Sequence, residues 1–297
     1  MKRTYSASIT PLTPQKTLDE KSLARVIDRN ARHGLTGVFL LGSMGEWSQL
    51  DNETRDAVIR VGTAAMAGRG EILAGIHSTG LELTLKNMER ISDIPFSSYV
   101  ITLPNRTSQI PPMTYLLTVL DAADRPVFYY HHPGVNGFRF SIDDFRRLAQ
   151  HPRFIGLKNS SGDMMLRKEL LMLKKECDFL LLEGHEWAMD EALILGCDGV
   201  LSGGGALTSK MMVALAKAVD RRDFAQAMQI QHRLVKLFHL VYGKNLDSVW
   251  AGEKYALKVL GVIDSEMTLV ESAETVLPPE RRREIEIGLQ EFRDELD

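Results

Sequence analysis

Cysteine is scarce in this chain, with Cys177 and Cys197 the only 2 among 297 residues. They make neither a disulfide framework nor a spaced metal motif, so a reducing compartment is expected. Neither sign of charge is in excess, since 36 Lys and Arg stand against 39 Asp and Glu for a formal net charge of −3. That balance excludes an electrostatic case for a nucleic-acid or polybasic membrane partner. Long apolar runs are missing too: Gly37–Leu41 and Phe179–Leu182 fall far short of the ~20 residues that cross a bilayer. The stretch from Met1 to Ile9 lacks the ~7–15-residue apolar core of a signal peptide. The expectation is a cytoplasmic chain without a membrane partner.

What is present is an alternation, repeated about eight times, of short apolar runs with longer amphipathic stretches. The expected strands are Ala7–Thr10, Gly37–Leu41, Ile72–Ile76, Ser98–Thr102, Val127–Tyr130, Phe154–Lys158, Phe179–Glu183 and Gly199–Ser202. Most are continuously apolar, as parallel strands covered on both faces are. Between them lie helical patterns, such as Leu18–His33, where Leu23, Val26 and Ile27 share an apolar stripe and Ser22, Arg25, Arg29 and Arg32 fall on polar or mixed faces. Asp51 and Ser141 carry the capping side chain of a helix start. Strand and helix in strict alternation imply a parallel sheet that closes into a barrel. An open doubly wound sheet would show G-x-G-x-x-G after its first strand, where this chain has Thr10-Pro11-Leu12-Thr13-Pro14. The expected fold is therefore an α/β (β/α)₈ TIM barrel over residues 1–220. Helical patterns only, around Phe224–Val241, Trp250–Leu260 and Pro279–Glu295, make residues 221–297 a C-terminal helical extension.

Barrel chemistry belongs at the C-terminal ends of the strands. Lys158 ends the run Phe154-Ile-Gly-Leu-Lys, where an ammonium would sit on top of an apolar barrel. It either snorkels its charge into solvent or serves as an amine nucleophile that forms a Schiff base with a carbonyl. The second role needs the neutral amine, which at pH 7 costs about 4.6 kcal/mol from the ordinary lysine value, and burial lowers that cost. Tyr130 ends the preceding strand, and its phenol is either a rim hydroxyl on a core ring or a proton donor and acceptor beside Lys158. Gly42-Ser43-Met44-Gly45-Glu46 is either an ordinary loop or a backbone and hydroxyl cradle for a carboxylate. Ser202-Gly-Gly-Gly205 is a tight turn or an anion nest. His77, His131, His132 and His185 all fall at strand ends. Adjacent histidines on an extended chain point to opposite sides and no H-x-H spacing supports them, so no metal site is expected. Asp143 and Asp144 read as helix N-terminal charge.

These residues resemble the pyruvate-dependent class I aldolases typified by dihydrodipicolinate synthase and N-acetylneuraminate lyase. The likeness covers nearly the whole chain. It is carried by Ile9-Thr10-Pro11-Leu12, by Gly42–Glu46 for the pattern G-[TS]-T-G-E, and by Tyr130-His-His-Pro133 for Y-N-x-P. Ile155-Gly-Leu-Lys158 with Ser161-Gly162-Asp163 stands for I-G-x-K-x-x-x-G-D, and Asp198–Ser202 completes the set. The resemblance implies a barrel with a helical extension, a homotetramer, no metal and no organic cofactor beyond a covalent imine on Lys158. It implies Lys158 as the Schiff-base lysine, Tyr130 as the proton-transferring tyrosine, and Ser43 as the hydroxyl for the pyruvoyl carboxylate. Met44 stands where the family has a second Thr and would offer only its backbone N–H, while the backbone at Leu201 would line the pyruvyl pocket.

Two departures bear on the substrate. Thr102–Ser108 contains no tyrosine, where dihydrodipicolinate synthases carry a pair that completes a proton relay, and Val135 replaces an arginine that binds a dicarboxylate. Both argue against dihydrodipicolinate synthesis. His77, His132 and His185 would instead offer polar contacts to a hydroxylated chain, such as a 2-keto-3-deoxy sugar acid. The expected function is a Schiff-base lyase acting on a 2-oxo acid. The alternatives are a hydro-lyase of such a sugar acid by the same imine, or a non-catalytic relative that binds pyruvate or another 2-oxo acid.

Overall fold

Eight strands alternate with helices in the computed structural model, which describes residues 1–104 and 109–297. The strands are β1 Arg3–Ala7, β2 Gly37–Leu40, β3 Glu71–Gly75, β4 Ser98–Ile101, β5 Val127–His131, β6 Phe154–Asn159, β7 Leu180–Glu183 and β8 Gly199–Ser202. Each pairs in parallel with the next, and β1 pairs with β8 to close the barrel. Around it run α1 Glu20–Arg32, α2 Asn52–Met66, α3 Leu81–Arg90, α4 Pro112–Ala122, the single turn α5 Pro133–Asn136, α6 Ile142–Ala149, α7 Met164–Leu173, α8 Met189–Leu195 and α9 Gly205–Asp220. The chain continues through α10 Phe224–Tyr242, α11 Val249–Val259, α12 Ala273–Val276, α13 Pro279–Gln290 and α14 Arg293–Leu296. Among the described residues no helix is long and apolar enough to cross a membrane.

Strand residues alternate between two cores. Tyr5, Ala7, Phe39, Leu73, Val100, Phe128, Tyr130, Leu182 and Leu201 fill the barrel interior. Val38, Leu40, Ile72, Tyr99, Ile101, Tyr129, Leu157 and Leu181 face the helices. The expected first strand, Ala7–Thr10, is corrected to Arg3–Ala7, which overlaps it only at Ala7. Arg3, Thr4 and Ser6 made this stretch look unlike a strand. Yet Arg3 Nη1 donates to the Tyr5 hydroxyl and to Glu71 Oε1, both at 3.0 Å, and the Tyr5 hydroxyl donates to Glu71 Oε2 at 2.7 Å. A polar network thus closes the N-terminal end of the barrel.

Helix starts follow their caps. Asp51 Oδ1 accepts from Thr54 N at 2.7 Å ahead of α2, and Ser141 with Asp144 forms a reciprocal capping box ahead of α6. Arg29 departs from its expected polar face. It is buried, and its guanidinium donates to the carbonyls of Ala206, Leu207 and Leu296, tying α1 to α9 and to the C-terminus. The last expected helix, Pro279–Glu295, is broken between α13 and α14. One apolar cluster runs from Val26, Met189 and Leu207 through Leu237, Ala256, Ile285 and Leu296, so α10–α14 share a core with the barrel's outer helices.

Candidate active site

Lys158 reaches its place through a register shift. Val127 pairs with Phe154, but Phe128 pairs with Gly156, leaving Ile155 as an extra residue in β6. Without that bulge, Tyr130 would stand opposite Leu157, and Lys158 would share the outward face of His131. With it, Tyr130 and Lys158 pair directly and both point inward. Lys158 is 5 % exposed, with its Nζ 4.1 Å from the centroid of the Tyr130 ring and 5.5 Å from that of Phe39. Gly184, just past β7, leaves the room: a Cβ there would lie 2.9 Å from Lys158 Cε and closer still to Ser160 Oγ.

Burial pushes the Lys158 amine down to about 8, opposed by the nearby charge of Glu186. At pH 7 the free amine then costs about 1.4 kcal/mol, and its population is roughly 300-fold above that of an ordinary lysine. Burial pushes the Tyr130 phenol up to about 12, while the hydroxyls of Ser43 and Ser160 draw it back and Glu186 raises it. Tyr130 therefore holds its proton at neutral pH, as a proton donor to a leaving hydroxyl must.

Glu186, which follows β7, was not among the residues expected from the sequence. Its Oε1 accepts from Ser202 Oγ at 2.7 Å and from Gly204 N at 2.6 Å, so the Ser202–Gly205 turn holds this carboxylate at the site. A cavity of about 330 Å³ is lined by Lys158, Tyr130, Ser43, Met44, Ser160, Glu186, Trp187 and Trp250, with His132 and His185 on its wall. It shares Ser43, Tyr130, His132 and Trp250 as lining with a second cavity of about 530 Å³. His77, Trp47, Thr102 and Val135 line that larger space. Val135 is 66 % exposed on its rim. Part of the tyrosine-free stretch, Asn105–Ser108, lies outside the described residues.

The histidines separate. His131 turns outward, its ring against Phe140 and Phe145, whereas His132 lies beside the Tyr130 ring, with centroids 5.5 Å apart. His77 is buried, and its Nδ1 accepts from Thr102 N at 3.1 Å. The neutral ring therefore carries its proton on Nε2, which has no partner among the described residues. Burial, with Arg55 and Lys158 nearby, pushes His77 down to about 3, so it stays neutral. His185 is exposed at the edge of the Lys158 cavity. Among the described residues no three His, Cys, Asp or Glu side chains gather for a metal ion. Leu201 is fully buried inside the barrel.

The Gly42–Glu46 loop is held from two sides. Thr10 Oγ1 donates to Gly45 O at 2.8 Å. Glu46, fully buried, is ion-paired with Lys254 of α11 and accepts from Thr268 Oγ1 at 2.8 Å and Leu269 N at 2.5 Å. Leu41 and Glu46 both adopt left-handed backbone conformations, with φ of 60° and 55°. A turn of that kind needs such anchoring, because these conformations are costly for residues with a Cβ.

The dihydrodipicolinate synthetase family pattern matches residues 1–275. The 4-hydroxy-tetrahydrodipicolinate synthase of Phocaeicola vulgatus is 26% identical over 266 residues, covering 89% of this chain and 88% of that one. The enzyme of the same name from Blochmanniella pennsylvanica is 29% identical over 259 residues, covering 86% and 85%. In structure, dihydrodipicolinate synthase from Bacteroides thetaiotaomicron is similar with a TM-score of 0.88 at 24% identity, over 98% of both chains. A prophage protein of the dihydrodipicolinic acid synthase family from E. coli K12, solved in complex with pyruvate, gives 0.86 at 23% identity over 99% of both. The fold is common to these solved structures, and the chain belongs to the dihydrodipicolinate synthetase family as a divergent member, a lyase of the class I aldolase type.

Proposed function

We propose that the protein binds a 2-oxo acid as an imine on Lys158 and makes or breaks the adjacent C–C bond, releasing or consuming pyruvate. The observation that carries this reading is the buried Lys158 amine, lowered to about 8 and 4.1 Å from the ring of Tyr130. The free amine adds to the C2 carbonyl, and the carbinolamine loses water to give the imine. Tyr130 supplies the proton that departs with that water. In cleavage, the hydroxyl on C4 passes its proton to the Tyr130 oxygen left by that step as the C3–C4 bond breaks to an aldehyde, and Tyr130 then returns this proton to C3. The electron pair passes into an enamine, which is protonated at C3 and hydrolysed to pyruvate and free Lys158. Ser43 Oγ and Met44 N–H take the carboxylate, and Leu201 walls the pocket. No other cofactor enters.

The substrate class proposed is a 2-keto-3-deoxy sugar acid, with the hydroxylated chain in the larger cavity. Ring nitrogens of His77 and His132 that have no partner among the described residues support polar contacts there, and His185 stands at the edge of the smaller cavity. Val135 at the rim offers no charge for a dicarboxylate. Borohydride reduction in the presence of pyruvate tests the central claim: a mass increment on the peptide containing Lys158 is expected, and an unmodified Lys158 would refute it. Water expulsion from the same imine is the rival, and product analysis separates the two because a dehydratase releases no pyruvate.

A further inference from the structure

The side chain that aims the carboxylate cradle comes from outside the barrel strands. Ser43 O accepts two hydrogen bonds, from Glu46 N within the turn at 3.0 Å and from Trp250 Nε1 of α11 at 3.0 Å. The peptide that joins Ser43 to Met44 is planar and trans, so its N–H points opposite to its C=O. Two donors on the Ser43 carbonyl therefore fix where Met44 N–H points. They also polarise the peptide, which strengthens that N–H as a donor. Among the described residues Met44 N–H has no acceptor, and Ser43, Met44 and Trp250 all line the cavity that holds Lys158.

We propose that Trp250 is a positioning residue for the carboxylate of the 2-oxo acid, acting through the Ser43–Met44 peptide. This rests on the assignment of Lys158 as the imine lysine with Ser43 and Met44 at the carboxylate. The helical extension then has a share in catalysis: α11 contributes Trp250 to one end of the cradle and Lys254 to the Glu46 end.

Two measurements decide it. Trp250→Phe keeps an aromatic ring but removes the donor. The pyruvate concentration that half-saturates borohydride trapping should rise about tenfold, while trapping of acetone, a ketone without a carboxylate, should stay unchanged. Equal weakening for both ketones, or no change for either, overturns the proposal. The second measurement uses the unaltered protein, so it stands even if the variant fails to fold. Ser43-Met44 is the only Ser-Met pair in the sequence, so carbonyl-¹³C serine with ¹⁵N methionine isolates a single amide signal. Pyruvate should shift that signal and acetone should not, and an unmoved signal on pyruvate addition overturns the proposal. Failure of the Lys158 reading looks different. There, pyruvate shifts the Met44 amide without leaving a reducible adduct, and Trp250→Phe should weaken that non-covalent shift if Trp250 aims the peptide, whereas an equal shift in the variant overturns its role.

Discussion

At the scale of single residues, the proposed chemistry depends on two protons held at unusual affinities. Replacing Tyr130 by Phe leaves the ring against Lys158 but removes the proton. Turnover should fall by ~10²–10⁴-fold while pyruvate remains trappable on Lys158, and steady-state kinetics beside trapping would show whether the two separate. Unaltered turnover would remove Tyr130 from the mechanism. Burial lowers the Lys158 amine to about 8 and Glu186 holds it up, so kcat/KM should decline as pH falls through about 8. Glu186→Gln removes the charge that favours the ammonium, and the decline should move to lower pH. A pH–rate profile that stays put, or moves upward, contradicts that electrostatic role. The placement of Lys158 and Tyr130 side by side at strand ends was legible in the sequence because a charged and a phenolic side chain ended apolar runs. Glu186 was not, since nothing in Glu183-Gly-His-Glu186 reveals that Ser202 and Gly204 would hold its carboxylate.

At the scale of elements, strand boundaries were readable wherever both faces were apolar, as in β2, β7 and β8. β1 was misplaced because the groups that accommodate its polar residues are distant in the chain: Glu71 takes Arg3, Thr36 Oγ1 takes the Thr4 N–H, and Ser6 packs against Gly205 at the start of α9. The bulge in β6 was likewise invisible, although it decides whether Lys158 faces the interior or the helices. Contacts of the same long range govern the Gly42–Glu46 loop. Glu46 and Lys254 are both fully buried, so removing one partner leaves the other uncompensated at a cost of about 3–5 kcal/mol. Lys254→Met should lower the unfolding free energy by that amount. Lys254→Met with Glu46→Gln should lose less than the two single changes together. Denaturant titration of the three variants tests this, and strict additivity would mean the pair is not coupled.

At the scale of the whole molecule, the near-neutral charge fits recognition confined to one cavity, and the shared core makes the extension a structural support of the barrel. The surface carries one further indication. Met164, Met165 and Met172 of α7 are 63 %, 70 % and 64 % exposed, and Ile194 and Leu195 at the end of α8 are exposed as well. Side chains of this kind gathered on neighbouring helices mark an association surface more often than a free one. In a homotetramer of the kind the family resemblance implies, this face would be covered by another copy of the chain. A closed assembly of identical chains repeats such a patch across a two-fold axis, so a charge placed there meets its own copy. Met165→Glu with Met172→Glu should therefore halve the sedimenting mass from tetramer to dimer without lowering the trapping of pyruvate on Lys158, which lies inside the barrel and away from α7. Sedimentation velocity on the unaltered and doubly substituted chains gives the answer. A monomer in the unaltered protein would dismiss the tetramer, and an intact tetramer in the variant would place its contacts on another face.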